Sequence, residues 1–247
     1  LDKSYRDDGY QIVFLAKNKL GYENLMKMCS IGYTEGFYYV PRIDKDLVKK
    51  YKEGIIVLSG SKYGEISNKI INVGEKQALD ACLWWKEIFM NDFYLEMNIH
   101  GEEENEIINE QLLKFSKNHD IKVIATNDTK YISKEDANAH DILLCVKDGQ
   151  QQSTPIGRGR GFRYGLKNQE YYFKTKDEMI KLFKKYPDAI SNISELVEKV
   201  DFYDLSREVL LPKFSIPENF NSTSNDIENE YLKHLVYEGA SEKYQNI

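Results

Sequence analysis

Short runs of β-branched and aromatic residues punctuate the chain at Gln11–Ala16 (QIVFLA), Ile55–Leu58 (IIVL), Phe93–Met97 (FYLEM) and Val123–Thr126 (VIAT), each the length of a buried strand. A helical pattern follows each run. Tyr22, Leu25, Met26, Cys29 and Tyr33 keep the three-and-four spacing of one helix face, with Asn18 placed to cap it. After the second run come Ile66, Ile70 and Ile71, then an amphipathic stretch from Glu75 to Phe89 carrying Leu79, Cys82, Leu83 and Ile88. Ile107, Ile108, Leu112 and Phe115 mark a helix after the third run. After the fourth, Ser133 and Asp136 form a capping-box pattern for a helix through Cys145. Alternation of this kind predicts a parallel sheet or barrel covered by helices.

The pattern breaks at 149–165, GQQQSTPIGRGRGFRYG, which has no periodicity and reads as a long exposed loop. Helical spacing resumes at Thr175, whose side chain and that of Glu178 suit a second capping box, and runs to Tyr186. Pro187 then opens a further helix to about Lys199. Residues 201–225 read as a connection, and Tyr231, Leu232, Leu235 and Val236 line one side of a last helix with nothing after it to pack against. A domain boundary near 212–225 follows.

Composition narrows the class. With 247 residues, 41% hydrophobic and 30% charged, and only 5 Pro and 15 Gly, the chain is neither collagen-like nor disordered throughout. A net charge of −6 gives the whole molecule no electrostatic reason to grip a phosphate backbone, so a nucleic-acid role requires a local basic patch. Cys29, Cys82 and Cys145 are odd in number and far apart, which suits reduced thiols in the cytoplasm. No apolar run approaches the ~20 residues that span a bilayer, and the first residues have no secretion-signal pattern. No membrane role is expected. The chain starts without Met on a charged segment just before a strand, so it reads as part of something longer.

Functional groups of a parallel barrel gather where strands end. His100 lies three residues beyond FYLEM, and Asp128 two beyond VIAT. Imidazole and carboxylate suit Zn²⁺, Mn²⁺ or Fe²⁺, but two ligands do not complete a site, and a loop histidine bonded to backbone is the plain alternative. Lys130, two residues after Asp128, favours an ion pair over a bound metal. Arg158, Arg160 and Arg163, interleaved with Phe162 and Tyr164, have the chemistry of a single-strand contact, guanidinium on phosphate and ring on base. A solvated, poorly ordered loop is the competing reading. Glu96, Glu102, Glu103 and Glu104 read as a solvated helix start, and no Ser-His-Asp or Cys-His arrangement is expected.

The stretches FLAKNKLGYENL, EGFYYVPRID, GIIVLSGSKYGEI, FYLEMNIHG, KVIATNDTKYISKEDANAHDILLCV and YYFKTKDEMIKLFKKYPDAISNISELVEKV, followed by LLPKF, resemble in order and spacing one family. It is the PHP (polymerase and histidinol phosphatase) domain of the bacterial replicative DNA polymerase III alpha subunit, a C-family polymerase. The resemblance implies an α/β fold, a distorted (β/α) barrel of about seven strands, here lacking its first strands and carrying a short helical C-terminal extension. Residues 1–212 would be a partial PHP domain, and 213–247 a linker and the start of the polymerase palm region.

Active members bind metal ions in the barrel mouth through His, Asp and Glu. By resemblance His100 and Asp128 fall on ligand positions, while Lys130 replaces the His of the closing Asp-x-His pattern and Gln11 stands where many relatives have His. The branch implied is one that has lost the metal chemistry. The parent would be a DNA-directed DNA polymerase using Mg²⁺, primer–template DNA and dNTPs. This part would be an inactive scaffold with no metal of its own, docking other holoenzyme subunits, among them the proofreading exonuclease subunit. The alternatives are a Zn²⁺- or Mn²⁺-dependent phosphoesterase or 3′–5′ exonuclease in the barrel mouth, or a free-standing PHP phosphatase.

Overall fold

The computed structural model of the protein describes residues 9–157, 159–206, 209, 214–221 and 226–244. Four strands form one mixed sheet in the order β1-β2-β3-β4: β1 (Val13–Ala16), β2 (Ile55–Leu58), β3 (Phe93–Met97) and β4 (Lys122–Ala125). The three apolar runs after the first form parallel neighbours, with Val57 opposite Phe93 and Met97 opposite Ala125. The first pair departs from the expected parallel arrangement. β1 runs antiparallel to β2, Val13 against Leu58 and Ala16 against Ile55. Among the described residues no pairing joins β4 back to β1, so this sheet is not a closed barrel.

The antiparallel pair is closed at one end by a contact between residues distant in sequence. The segment from β1 to β2 leaves and re-enters the sheet at one end, where Lys17 donates its backbone N–H to the Gly54 carbonyl at 2.7 Å. Helix α1 (Lys19–Thr34) begins against that turn, capped by the Asn18 side chain, which accepts from the Gly21 N–H at 3.0 Å. α1 buries Gly21, Asn24, Met28 and Gly32. The expected Tyr22-to-Tyr33 face is therefore rotated, and Met26 and Tyr33 are exposed. A helix α2 (Lys45–Lys50), capped by Asp44, lies in the segment that carried no sequence signal.

Helices α3 (Glu65–Asn72) and α4 (Glu75–Phe89) follow β2, and α5 (Glu103–His119) links β3 to β4. α6 (Ala137–Asp148) is entered through a short 3₁₀ turn on the expected Ser133–Asp136 capping box. α7 (Lys176–Leu182) has the expected Thr175–Glu178 box, and α8 (Pro187–Glu198) has Pro at its start. β2 and β3 are buried at every position, and alternate residues serve opposite faces. Val57, Leu95, Met97 and Val123 join a large core with Trp85, Phe89, Leu112 and Phe115. Ile56, Leu58, Tyr94 and Ile124 form a smaller cluster with Leu196. Each such aliphatic side chain contributes roughly 1.5–3 kcal/mol by leaving water.

The chain divides into two compact units, Leu1–Asp204 and Leu205–Ile247. The second contains α9 (Ile227–Lys243), where Tyr231 stacks on Phe214 at 5.7 Å and meets Phe220 edge-on at 4.9 Å. Among the described residues no helix is long and apolar enough to cross a membrane.

Candidate functional site at the strand ends

The three parallel strands end on a buried polar cluster. Glu96 lies next to last in β3, on the Tyr94 side of the strand, and is 8% exposed. Its Oε1 accepts from the Thr126 hydroxyl at 2.6 Å, while Oε2 is buried without a hydrogen-bond partner. Burial, with the Asp128 charge nearby, raises the Glu96 carboxyl above the usual range. Just beyond β3, the Asn98 amide donates to the Thr126 hydroxyl at 2.7 Å and so ties this strand end to that of β4.

His100 is 3% exposed. Its backbone N–H donates to the Asn105 side chain and its carbonyl accepts from the Asn168 amide at 2.7 Å, which fixes the loop. The ring lies flat against Tyr171, with centroids 4.2 Å apart, and Nε2 is buried with no partner. Burial and then the nearby Lys174 ammonium hold His100 below its ordinary pKa. The expected backbone-bonded ring is thus replaced by a stacked one.

Asp128 is paired. Lys130 Nζ lies 2.7 Å from its Oδ1, as the two-residue spacing predicts. Two further ammonium groups enter the cluster. Lys62, in the loop after β2, meets Glu102 Oε2 at 3.2 Å and the Tyr171 hydroxyl at 3.3 Å. Lys174, with a side chain 2% exposed, donates to Asn127 Oδ1 and to the Glu170 carbonyl. Burial depresses the Lys174 pKa. Burial alone would raise Glu102, but the Tyr171 hydroxyl and Lys62 outweigh it and hold the carboxyl below its usual range.

Glu96 and Glu102 are therefore structural members of this cluster, not the solvated helix start that their acidic neighbourhood suggested. The missed signal for Glu96 was its place inside an apolar strand. Tyr171 and Lys174, more than 40 residues downstream of Asp128, carried none. Backbone pairing delivers them: the Lys130 N–H donates to the Tyr171 carbonyl at 2.8 Å, and Phe173 to Tyr131 at 3.0 Å.

A divalent cation does not suit this donor set. Two buried atoms, Glu96 Oε2 and His100 Nε2, lack partners, but Asp128 is neutralised by Lys130, and Lys62 and Lys174 add positive charge. Among the described residues no group of three His, Cys, Asp or Glu side chains converges to hold a metal. Gln11 is exposed, with its N–H on the Tyr63 carbonyl at 3.1 Å, next in sequence to Lys62. The three cysteines are free thiols, Cys82 and Cys145 buried and Cys29 exposed.

One arginine of the loop is anchored within the fold. Arg163 is 6% exposed and grips Asp141 of α6 with two bonds, 2.6 and 2.9 Å. It also donates to the carbonyls of Thr154, Gln152 and Tyr164. Its guanidinium is committed within the fold. Arg160 is exposed, and Arg158 lies outside the described residues.

Comparison with known proteins agrees with the sequence resemblance. Residues 1–100 match the model of the PHP domain. The chain is 40% identical over 239 residues, 96% of its length, to the DNA polymerase III subunit alpha of Borreliella burgdorferi. It is 32% identical over its whole length to that of Campylobacter jejuni, and 37% identical over 90% of its length to that of Helicobacter pylori strain 26695. It spans about one fifth of the length of these relatives. Residues 1–100 are thus similar to the PHP domain, in a chain similar along nearly its whole length to part of DNA polymerase III alpha subunits.

Proposed function

We propose that this chain is part of the alpha subunit of a replicative DNA polymerase, which extends primers on a template with dNTPs and Mg²⁺ in the cytoplasm, and that this part is a scaffold. Residues 1–212 are read as a PHP-type barrel lacking its first strands, and 213–247 as a linker into the palm region. Other holoenzyme subunits, the proofreading subunit among them, are the partners this reading implies. Gln11, His100, Asp128 and Lys130 are read as former or replaced ligand positions.

One observation carries the scaffold reading: the Lys130 ammonium sits on Asp128 at 2.7 Å, where a cation would compete for the same carboxylate. With Lys62 on Glu102, fixed positive charge faces the carboxylates of the cluster. The test is on the full-length protein. Primer extension is expected with Mg²⁺, together with elemental analysis showing no stoichiometric Zn or Mn after gel filtration. Retained Zn or Mn, with phosphoesterase or 3′–5′ exonuclease turnover that Lys130→Ala changes, would favour the metal-dependent alternative.

A further inference from the structure

The arginine-rich loop is a built surface, and Arg163 is what builds it. Gly157 donates to the Arg163 carbonyl at 3.0 Å and Arg163 to the Pro155 carbonyl at 2.9 Å, closing a short loop at its neck. Inside it, Phe162 donates to the Gly159 carbonyl at 3.3 Å, and Gly159 and Gly161 take φ values of 94° and 87° that favour glycine. The Phe162 ring lies against the Gly157 backbone, where an added Cβ would meet it at 2.4 Å. That ring is nevertheless 50% exposed, and Arg160 beside it is exposed with no salt-bridge partner among the described residues.

A cavity of about 180 Å³ opens on the flank of the same loop. Tyr63 and Tyr164 line it, their hydroxyls 3.4 Å apart, with Asn68 and Asn72 from α3 beside them. Lys62 and Lys167 also reach it, each matched by a glutamate, Glu102 and Glu104. Aromatic faces and amide donors and acceptors are the groups that hold an unpaired base. A guanidinium held clear of carboxylates is the group that meets a phosphate.

We propose that residues 155–157 and 159–165 form a contact for single-stranded DNA, with Phe162 stacking on one base, Arg160 on the adjoining phosphate and the Tyr63–Tyr164 cavity receiving the next base. Arg163 acts only as the rivet that holds the loop. The proposal rests on the polymerase reading for the source of the strand, which would be unpaired template.

The full-length protein is bound to a primer–template carrying 5-iodouracil at successive positions of the single-stranded overhang, irradiated, and digested for mass spectrometry. Cross-links to Phe162 or Tyr164 at one or two overhang positions are expected, lost in Phe162→Leu and Tyr164→Leu respectively. Affinity for a fluorescein-labelled oligothymidylate is measured across a salt series. Arg160→Ala is expected to weaken binding several-fold and to reduce the salt slope by about 0.7, the share of one single-strand phosphate. Phe162→Leu should weaken it by about fivefold or more with the slope unchanged. No cross-link to the loop at any overhang position, with wild-type affinity and slope in both variants, overturns the proposal. Primer extension on a short overhang reads the polymerase assignment separately, so either can fail alone.

Discussion

The ring of Tyr171 lies on the imidazole of His100 with the two planes 6° from parallel, and the same tyrosine donates its hydroxyl to Glu102. One residue therefore covers the face of the histidine and closes the polar cluster through the Lys62–Glu102 pair. Tyr171 is 1% exposed, so Tyr171→Ala removes a packed ring and leaves Glu102 short of a partner. A loss of about 3–5 kcal/mol is expected. Tyr171→Phe keeps the stack and loses only the charge-assisted bond, with an expected cost of about 1–3 kcal/mol. Denaturant unfolding of the two variants separates ring from hydroxyl. Equal losses would contradict the division of labour.

Lys130 and Asp128 set the response to metals. Both side chains are partly exposed, so their ion pair contributes only about 0–1 kcal/mol, and Lys130→Ala should barely move the melting temperature. Lys130→His exchanges a repelling ammonium for a ligand beside Asp128, with unpartnered Glu96 Oε2 and His100 Nε2 in the same cluster. In that variant Zn²⁺ is expected to raise the melting temperature, and EDTA to reverse the rise. The wild-type protein should respond to neither. A Zn²⁺-dependent shift in the wild type would remove the basis for the scaffold reading.

How much of this was legible in the sequence depended on the range of the interaction. Ile55–Leu58 and Phe93–Met97 form strands over the residues their apolar runs mark, and both capping boxes form, because those choices are settled within a few residues. The direction of β1 was not legible, since it depends on Gly54 meeting Gly21 across a connection that carries two helices. The buried face of α1 was not legible for the same reason: its stripe runs through Gly21 and Gly32, which an apolar count ignores. The Asp128–Lys130 pair was legible from two-residue spacing. Tyr171, Lys174 and the Arg163–Asp141 pair were not, because tertiary contacts bring them in from 22 to 109 residues away.

Acid should release the arginine loop before it unfolds the core. The Arg163 guanidinium holds the Asp141 carboxyl below its usual range. A carboxyl depressed in the folded state contributes stability above its unfolded pKa, about 3.9, and loses it as pH falls through the lower folded value. Amide exchange at Gly157 and Arg163, corrected for intrinsic rates, is therefore expected to stay protected from neutral pH to about 4 and to open below that. Asp141→Asn should open both amides at every pH, and Arg163→Lys should do the same, since a lysine lacks the planar fork that meets both carboxylate oxygens. Loop amides that stay protected in Arg163→Lys would show that the neck holds without the rivet.

Two helical glycines should respond to alanine with opposite signs. Alanine gains about 1 kcal/mol over glycine inside a helix by propensity alone. At Gly239 in α9 an added Cβ meets nothing within 4 Å, so Gly239→Ala is expected to gain up to that amount, read as slower amide exchange along the helix. At Gly21 the added Cβ would lie 1.8 Å from the Gly54 carbonyl oxygen, a contact that only backbone movement can relieve. Gly54 itself holds φ at 72° and sits against the Asn18 side chain that caps the helix, so neither partner can yield without loss. Overpacking of this kind costs roughly 1–3 kcal/mol and outweighs the propensity gain. Gly21→Ala is thus expected to lower the unfolding midpoint and to expose the β1–β2 pair to exchange, because the same contact sets the antiparallel entry into β2. A stabilised Gly21→Ala protein would mean that α1 can lift from the sheet at no cost, and that the Gly21–Gly54 contact does not set the direction of β1.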